Sequence, residues 1–185
     1  MTPSLAELRH IHHQADCLAD QASVEAAIDR IAAAITARLS AQRPVIYVVM
    51  NGGLVFAGQL LTRLDFPLEV AYLHATRYRQ QTQGAELQWQ VAPTVDPRGR
   101  CALVIDDILD EGHTLLAIVD ALRAAGADEV LTAVLLDKRH ERKARPDLRA
   151  DFHGLEVVDR YLYGYGMDYQ GWWRNANGIY AVKGL

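Results

Sequence analysis

The sequence has only two cysteines, Cys17 and Cys101, among its 185 residues. They are too few and too far apart for a disulfide framework or a four-ligand zinc site, so a reducing cytoplasm is the expected setting. No apolar run approaches the roughly 20 residues of a membrane-spanning helix. The polar, periodic N-terminal stretch does not resemble a signal peptide. We therefore expect neither a disulfide-rich secreted protein nor a membrane protein.

Positive charge is also scarce. The chain has 19 Lys and Arg against 23 Asp and Glu, a net charge of -4. Because duplex binding requires a concentrated basic face, we expect no nucleic-acid partner. A few basic residues around one pocket would still suit a small polyanion. The length fits one domain over residues 1–185, without repeats, low-complexity tracts or linkers.

The apolar pattern predicts alternating helices and strands. Two helices are expected in the first forty residues, the second capped by Ser23, because apolar residues recur there at steps of three and four. The run "VIYVVM" after Pro44 predicts a strand buried on both faces, and "LVFAGQLLTRL" predicts a helix. "FPLEVAYLHA" and "LQWQV" predict two further strands around a polar loop.

From Cys101 onward the pattern is strand, loop, helix and strand: "CALVI", "DDILDEGH", "TLLAIVDALRAAGA" and "EVLTAVLLD". Gly126 stands where a helix C-cap is expected. This is a βαβ unit, so the predicted fold class is α/β, an open and mostly parallel sheet flanked by helices. Residues 1–43 and 151–185 are expected to contribute a smaller lobe, or hood, over the sheet.

The acidic segment "VIDDILDEGHT" carries the chemistry of the predicted unit. Asp106 and Asp107 stand at the carboxyl end of a buried strand, where open α/β sheets bind ligands. Adjacent strand residues point to opposite faces, so the two carboxylates serve different roles. Backbone amides from Gly112 onward and the Thr114 hydroxyl can surround a phosphate at the helix N-terminus. The alternative is an acidic turn without chemistry.

This segment resembles the signature of the type I phosphoribosyltransferases: apolar residues, two acidic residues, two apolar residues and then Asp-x-Gly-x-Thr. The resemblance implies the fold of that family and a site for phosphoribosyl pyrophosphate. Its residues there would be Asp106, Asp107, Asp110, Glu111, Gly112, His113 and Thr114.

A second segment, "VVMNGGLVFAGQLL", resembles the pyrophosphate loop of the hypoxanthine-guanine branch of the family. Backbone amides of Asn51, Gly52 and Gly53 would hold the leaving group. The family commonly has a lysine where Asn51 stands, which removes a direct positive charge from this loop. Taken alone, the segment is also compatible with a simple glycine turn.

Two further segments resemble the base-binding side of that branch. In "LLDKRHERK", which is expected to follow a strand, Lys138 matches the lysine that contacts the 6-oxygen of the purine, and Arg142 matches an arginine near pyrophosphate. The alternative is a solvated basic face. In "RYLYGYGMDYQGWWRN", the resemblance implies four roles: Tyr161 stacks on the base, Leu162 presents its backbone to the base edge, Asp168 lies near Mg²⁺ or the 2-position, and Arg174 reaches pyrophosphate. An aromatic-rich core strand is the alternative.

The polar stretch after the second predicted strand stands where the family has a catalytic lid. Thr76, Arg77 and Tyr78 would form its root, although family lids usually carry Ser-Tyr, and an ordinary surface loop is the alternative. His10, His12 and His13 are expected on a solvated helix face, because no second cluster completes a tetrahedral metal site.

The resemblance implies transfer of ribose 5-phosphate from phosphoribosyl pyrophosphate to a 6-oxopurine, with Asp110 as the catalytic group. Mg²⁺ is the implied cofactor, held by Asp106, Asp107 and Asp168. Small molecules are the expected partners, and a homodimer or homotetramer is the expected assembly. A xanthine-preferring enzyme and a non-catalytic nucleotide sensor of the same fold are the alternatives.

Overall fold

The computed structural model describes residues 2–77 and 87–184. Its helices are α1 (Leu5–Gln14), α2 (Gln21–Leu39), α3 (Gly53–Leu61) and α4 (His113–Ala124). Its strands are β1 (Asp16–Ala19), β2 (Val45–Val49), β3 (Glu69–Arg77), β4 (Leu87–Val91), β5 (Cys101–Leu109), β6 (Glu129–Arg139), β7 (Phe152–Val158), β8 (Leu162–Tyr163) and β9 (Ile179–Ala181). No helix in these ranges has both the length and the apolar character needed to cross a membrane.

Six strands form the main sheet in the order β4-β3-β2-β5-β6-β7. All neighbours are parallel except β4, which pairs antiparallel with β3. The predicted α/β fold is therefore confirmed. The chain runs from β2 outward to β3 on one side and from β5 outward to β6 and β7 on the other. The strand order thus reverses between β2 and β5, the position where open α/β sheets bind their ligands.

Helices cover both faces of this sheet. Phe56 and Leu60 of α3 pack with α2 in one apolar core, and Leu115 and Ile118 of α4 pack in the other. Every residue of β2 is buried, as its continuous apolar run predicts for a central parallel strand. Burial on both faces fixes the positions of the strand ends, and these ends carry the polar residues of the site.

Both ends of the chain contribute to a second sheet, with the order β1-β9-β8. The predicted hood segment 151–185 is too broad, because Phe152–Val158 pairs in the main sheet with β6, and α2 packs against it. The four-residue strand β1 lies between the two predicted helices. Its residues pair with β9, a contact between distant parts of the chain that local periodicity does not reveal.

Several local predictions differ in detail from the structure. Helix α2 is capped by Asp20, whose side chain accepts from the Ser23 amide, so Ser23 is not the N-cap. Strand β5 continues through the predicted loop to Leu109, and β6 continues to Arg139. Pairing between β5 and β6 extends as far as Leu109 and Asp137, which places Asp106 and Asp107 within β5. Pairing with β7 continues β6 through Lys138 to Arg139. Gly126 lies one residue beyond the C-cap with a φ of 94°, as expected for a Schellman ending.

His12 does not lie on a solvated helix face as predicted. Its ring stacks on Trp173 with centroids 4.3 Å apart and contacts Tyr180 edge-on at 4.8 Å. Its Nδ1 lies 3.0 Å from the Tyr163 hydroxyl. These contacts attach α1 to the C-terminal segment, and the burial they cause lowers the pKa of His12.

We therefore expect acid to weaken the attachment of α1. Because the pKa of His12 is lower in the folded than in the unfolded protein, its stabilising effect is complete above the ordinary value of 6.5 and is lost as the pH falls through the folded pKa. Replacing His12 with Phe keeps an aromatic ring but removes the titration. Chemical unfolding at pH 7.5 and 5.5 should show a smaller loss of stability in His12→Phe than in the parent chain. An equal loss in both would assign the pH dependence to other groups.

Candidate active site

The candidate site lies at the carboxyl ends of β2, β5 and β6. Its pocket has a volume of about 250 Å³ and is lined by Asp107, Ile108, Asp110, Lys138, Tyr161, Leu162, Met167 and Asp168. A larger cavity of about 600 Å³ lies at the opposite edge, next to the starts of β5 and β6. We assign the site to the smaller pocket because it lies at the carboxyl ends of the strands, beside the reversal of strand order, and is lined by Asp107 and Asp110 of the acidic segment.

Two helices begin at this edge without a capping side chain. In α3 and α4 the N-cap residues are Gly52 and Gly112, and neither helix has a side-chain cap. By contrast, Ser4 caps α1 with a complete capping box and Asp20 caps α2. The first amides of a helix need an acceptor. Uncapped N-termini at the ligand-binding edge therefore suit anionic oxygens, as predicted for the segments around Asn51–Gly53 and Gly112–Thr114.

Gly112 is required by the shape of the acidic turn. Its φ is 84°, and a Cβ there would lie 2.4 Å from a methyl carbon of Leu148 and 2.8 Å from one of Leu109. The Glu111 carbonyl accepts a hydrogen bond from the Ala144 amide. The turn before α4 therefore packs against the side chains of Leu109 and Leu148 and is hydrogen-bonded to the segment that follows β6.

The glycine loop approaches the acidic strand closely. A Cβ on Gly52 would lie 2.3 Å from Oδ2 of Asp107, and a Cβ on Gly166 would lie 1.9 Å from the Gly52 carbonyl oxygen. Gly166 also has a φ of 110°. Segments from three parts of the chain therefore meet here: Gly166 faces the backbone of Gly52, and Gly52 faces the carboxylate of Asp107. Only residues without side chains allow this approach.

We expect Gly52→Ala to displace the Asp107 carboxylate and to lower turnover by about tenfold or more. Gly52 has a helical φ of -58°, so the effect comes from the contact with Asp107 and not from backbone strain. Gly58→Ala in the same helix is the matched control, because a Cβ there has no neighbour within 4 Å. Alanine at position 58 should stabilise α3 by about 0.5–1 kcal/mol and leave activity unchanged. Equal kinetics of the two variants would contradict the role given to Gly52.

The two adjacent carboxyl groups of β5 have different surroundings. Asp107 is 8% exposed and lines the pocket, whereas Asp106 is partly buried and its Oδ1 accepts from the Asp107 amide at 2.9 Å. Burial, followed by repulsion from Asp107, raises the pKa of Asp106. Burial also raises the pKa of Asp107, although hydrogen bonds and the charge of Arg174 act against it. A cation or several hydroxyl donors at this position would favour the charged forms.

Asp110 lies in the acidic turn with both carboxylate oxygens occupied. Oδ2 accepts from Lys138 Nζ at 2.8 Å, and Oδ1 lies 2.6 Å from His140 Nε2. Burial acts to raise the pKa of Asp110, but the hydrogen bonds from Lys138 and His140 and the positive charge of Lys138 outweigh it, so the pKa is lowered. Asp110 is therefore an ionised acceptor beside a cationic donor, at the mouth of one pocket.

Residues of the C-terminal part of the chain line the same pocket as Asp110 and Lys138. Tyr161 is 41% exposed, lines the pocket and contacts the ring of Tyr169 edge-on. Leu162 is buried in β8. Arg174 donates to the Gly166 carbonyl and pairs with Asp168 at 2.5 Å, while Asp168 also accepts from the Gly171 amide at 2.6 Å. Tyr161, Leu162 and Asp168 thus lie around the same pocket as Lys138.

Arg142 and His113 are predicted site residues that pair outside this pocket, His113 with Glu111 at 3.8 Å. The guanidinium of Arg142 makes two hydrogen bonds to Asp159, at 2.6 and 3.1 Å, and lies 3.9 Å from Glu111. Of the predicted lid residues, Thr76 and the backbone of Arg77 lie at the end of β3, paired with the start of β4. Tyr78 lies outside the described residues.

The structure also places three residues at the site for which the sequence offered no role. His140 contacts Asp110, and Ile108 and Met167 line the pocket. His140 stands two positions after Lys138, which is the spacing of side chains on one face of an extended strand. Strand β6 ends at Arg139, so His140 lies one residue beyond it, and the spacing from Lys138 is the signal that the sequence carried.

Within the described ranges, one group of three side chains brings metal-ligand atoms within 4.8 Å of one another: Asp110, His140 and Asp159. Lys138 and Arg142 already supply positive charge to these carboxylates, so the group does not fit a further cation. The carboxylate oxygens of Asp106 and Asp107 fit Mg²⁺ better, because this ion prefers carboxylate and water ligands.

A strand-end carboxylate pair, two uncapped helix N-termini and a glycine loop at a sheet reversal are typical of α/β proteins that bind phosphorylated ligands. The model of the phosphoribosyl transferase domain matches residues 14–168. The chain is 31% identical over 167 residues to the hypoxanthine-guanine phosphoribosyltransferase of Bacillus subtilis, covering 90% of this chain and 92% of that protein. It is 29% identical to the hypoxanthine-guanine-xanthine phosphoribosyltransferase of Tritrichomonas foetus, covering 98% and 96%.

A similar architecture occurs in the crystal structure of a hypoxanthine phosphoribosyltransferase from Staphylococcus aureus. The TM-score is 0.87 at 25% identity, with 97% of each chain covered. This protein therefore belongs to the phosphoribosyltransferase family, and the predicted family is confirmed.

Proposed function

We propose that the protein transfers the 5-phosphoribosyl group from phosphoribosyl pyrophosphate to hypoxanthine and guanine, forming the nucleoside monophosphates IMP and GMP and releasing pyrophosphate. The proposal is carried by the Lys138–Asp110 pair in the pocket beside Tyr161. It places an ammonium donor and a carboxylate acceptor next to each other, as the 6-oxygen and the N7–H of a 6-oxopurine require. The names of the relatives above support the same substrate class.

The base would lie between Tyr161 and the end of β5, with its 6-oxygen toward Lys138. Adenine presents an amino group at this position, and two donors facing each other disfavour binding. Tyr161 is exposed enough to stack on a purine ring, and the backbone of Leu162 would contact the base edge. Asp168 would lie near the 2-position, where hypoxanthine, guanine and xanthine differ.

In the reaction, purine N9 forms a bond to C1′ of the ribose while the bond from C1′ to pyrophosphate oxygen breaks. Pyrophosphate leaves with the bonding electron pair, and the proton on N7 moves toward Asp110. An ionised Asp110, held by Lys138 and His140, is in the correct state to accept it. Arg174 would offset charge on the leaving group, and the open N-terminus of α4 would bind the 5-phosphate.

We propose Asp106 and Asp107, with Asp168 nearby, as the residues that hold Mg²⁺, directly or through water. Bound Mg²⁺ would neutralise charge on the pyrophosphate. The amides of Asn51, Gly52 and Gly53 would bind the same group without the lysine that family members commonly have. We also propose that phosphoribosyl pyrophosphate contacts Arg142, Glu111, His113 and Thr114. The proposed lid consists of Thr76, Arg77 and Tyr78. The homo-oligomer and the cytoplasmic location remain predictions.

The test is nucleotide formation from hypoxanthine, guanine, xanthine and adenine in parallel, with phosphoribosyl pyrophosphate and Mg²⁺. We expect IMP and GMP and no reaction of adenine. Activity confined to xanthine would support the same transfer reaction with a different preferred base. Binding of phosphoribosyl pyrophosphate without any turnover would indicate a ligand sensor instead.

The role of Lys138 is tested by Lys138→Gln, which keeps a donor but removes the charge. This substitution should raise KM for the base more than KM for phosphoribosyl pyrophosphate.

A further inference from the structure

His140 is buried beside the proposed catalytic carboxylate, although its position lies in a run of charged residues. Its side chain is 4% exposed. Nε2 lies 2.6 Å from Oδ1 of Asp110, and Nδ1 accepts the backbone N–H of Arg142 at 3.0 Å. Both nitrogens of the imidazole therefore have partners within the protein, which is the arrangement of an oriented histidine.

The second of these contacts defines the tautomer of the ring. A nitrogen that accepts an amide hydrogen carries no proton of its own, so the ring proton lies on Nε2. Nε2–H then donates to Asp110 Oδ1. A ring protonated on both nitrogens would oppose the Arg142 N–H with a second donor. The cations around the ring, Lys138 and Arg142, are paired with Asp110 and Asp159.

Lys138 and His140 both donate to Asp110, but only Lys138 would also have to donate to the substrate. Lys138 is the proposed donor to the purine 6-oxygen, so its ammonium has to serve both the base and the carboxylate. His140 is bound on both sides within the protein and lies outside the residues that line the pocket. It can therefore keep its bond to Asp110 while Lys138 turns to the base.

We infer that His140 is a positioning residue for the transfer reaction: through its Nε2–H it holds Asp110 ionised and oriented toward N7 of the bound purine. The inference rests on the proposed function of Asp110. His140 acts through Asp110 and does not itself touch the substrate. The backbone of Arg142 completes the arrangement, which gives this segment a role that does not require the Arg142 side chain to reach pyrophosphate.

The experiment is a double-mutant cycle on turnover of hypoxanthine. His140→Leu removes the donor, and His140→Gln retains an N–H at a similar distance from the backbone. Loss of one hydrogen bond to a charged group predicts a decrease in kcat of about 10- to 100-fold for His140→Leu. KM for phosphoribosyl pyrophosphate should stay within about twofold, because uniform binding is unchanged. His140→Gln should recover most of the lost rate.

The decisive comparison places His140→Leu in an Asp110→Asn background. If His140 acts through Asp110, the leucine substitution causes no further loss there, because the effects of coupled residues are not additive. An equal loss in both backgrounds would show a general structural role and overturn the inference. So would full turnover of His140→Leu.

The outcomes separate the inference from the proposed function. Full activity of Asp110→Asn would overturn the inference and leave the transfer reaction in place. No turnover of any base by the unsubstituted protein would overturn both. A readout independent of activity is the ¹⁵N spectrum of the histidine rings. We expect the proton on Nε2 of His140, and a ring that carries its proton on Nδ1 with a bare Nε2 would contradict the inference.

Discussion

Replacing Asp110 with asparagine is expected to lower kcat by about 10²–10⁴-fold with little change in KM for phosphoribosyl pyrophosphate. The carboxylate has two acceptor oxygens and uses both, one for Lys138 and one for His140. Asparagine has a single acceptor oxygen and presents an NH₂ group in place of the other. It therefore leaves one of these donors unpaired and loses the basic group that accepts the N7 proton.

Steady-state kinetics with hypoxanthine and guanine will measure this effect, and binding of phosphoribosyl pyrophosphate by calorimetry will separate binding from turnover. Asp120→Asn is the matched control, since Asp120 is an exposed residue of α4 that lies 3.8 Å from Arg123. It should leave kcat unchanged. Wild-type turnover in Asp110→Asn would remove Asp110 from the mechanism.

Asp137→Ala is expected to destabilise the fold by about 3–5 kcal/mol. Asp137 is fully buried in β6, and its two oxygens bind Lys143 Nζ at 2.8 Å and Arg149 at 3.1 Å. Lys143 also donates to the Leu109 carbonyl, at the end of β5 just before Asp110. Removing the carboxylate leaves the buried ammonium of Lys143 without a counter-ion. An unpaired buried charge lowers the free energy of unfolding strongly.

Denaturant unfolding of the parent chain and Asp137→Ala will measure the difference, which should correspond to roughly 10 °C in Tm for a protein of this size. Asp29→Ala is the control, because its ion pair with Arg63 is on the surface and Asp29 is 65% exposed. Its removal should cost less than about 1 kcal/mol. Similar stabilities of the two variants would show that the buried network contributes little to folding.

Local patterns predicted most of the main sheet. The apolar runs of β2 and β5 identified its central strands, and the extent of β4 agrees with "LQWQV". The ends of β5 and β6 were predicted too early, because the polar residues there resemble a loop. In the structure, pairing between β5 and β6 continues through Asp106 and Ile108. Hydrogen bonds from a neighbouring strand, which no local pattern contains, extended both strands.

In the candidate site, too, some residues could be predicted from local motifs and others only from the fold. The acidic segment and the C-terminal aromatic segment carry motifs whose spacing along the chain resembles that of the family. His140 has no such motif, and its contact with Asp110 spans 30 positions. Asp137, Lys143 and Arg149 likewise form a network that becomes visible only when β6 and the segment after it fold over the end of β5.

The sequence by itself determined the α/β class, the central strands and the chemical character of the site, because burial periodicity, glycine turns and acidic motifs are properties of short segments. The tertiary structure decided which groups share a pocket and which partners each one has. It paired Lys138 with Asp110, placed His140 behind that carboxylate and bound Arg142 to Asp159. The physical reason is that pairing of charges and hydrogen-bond donors depends on distances across the fold, and these are set by strand order and packing.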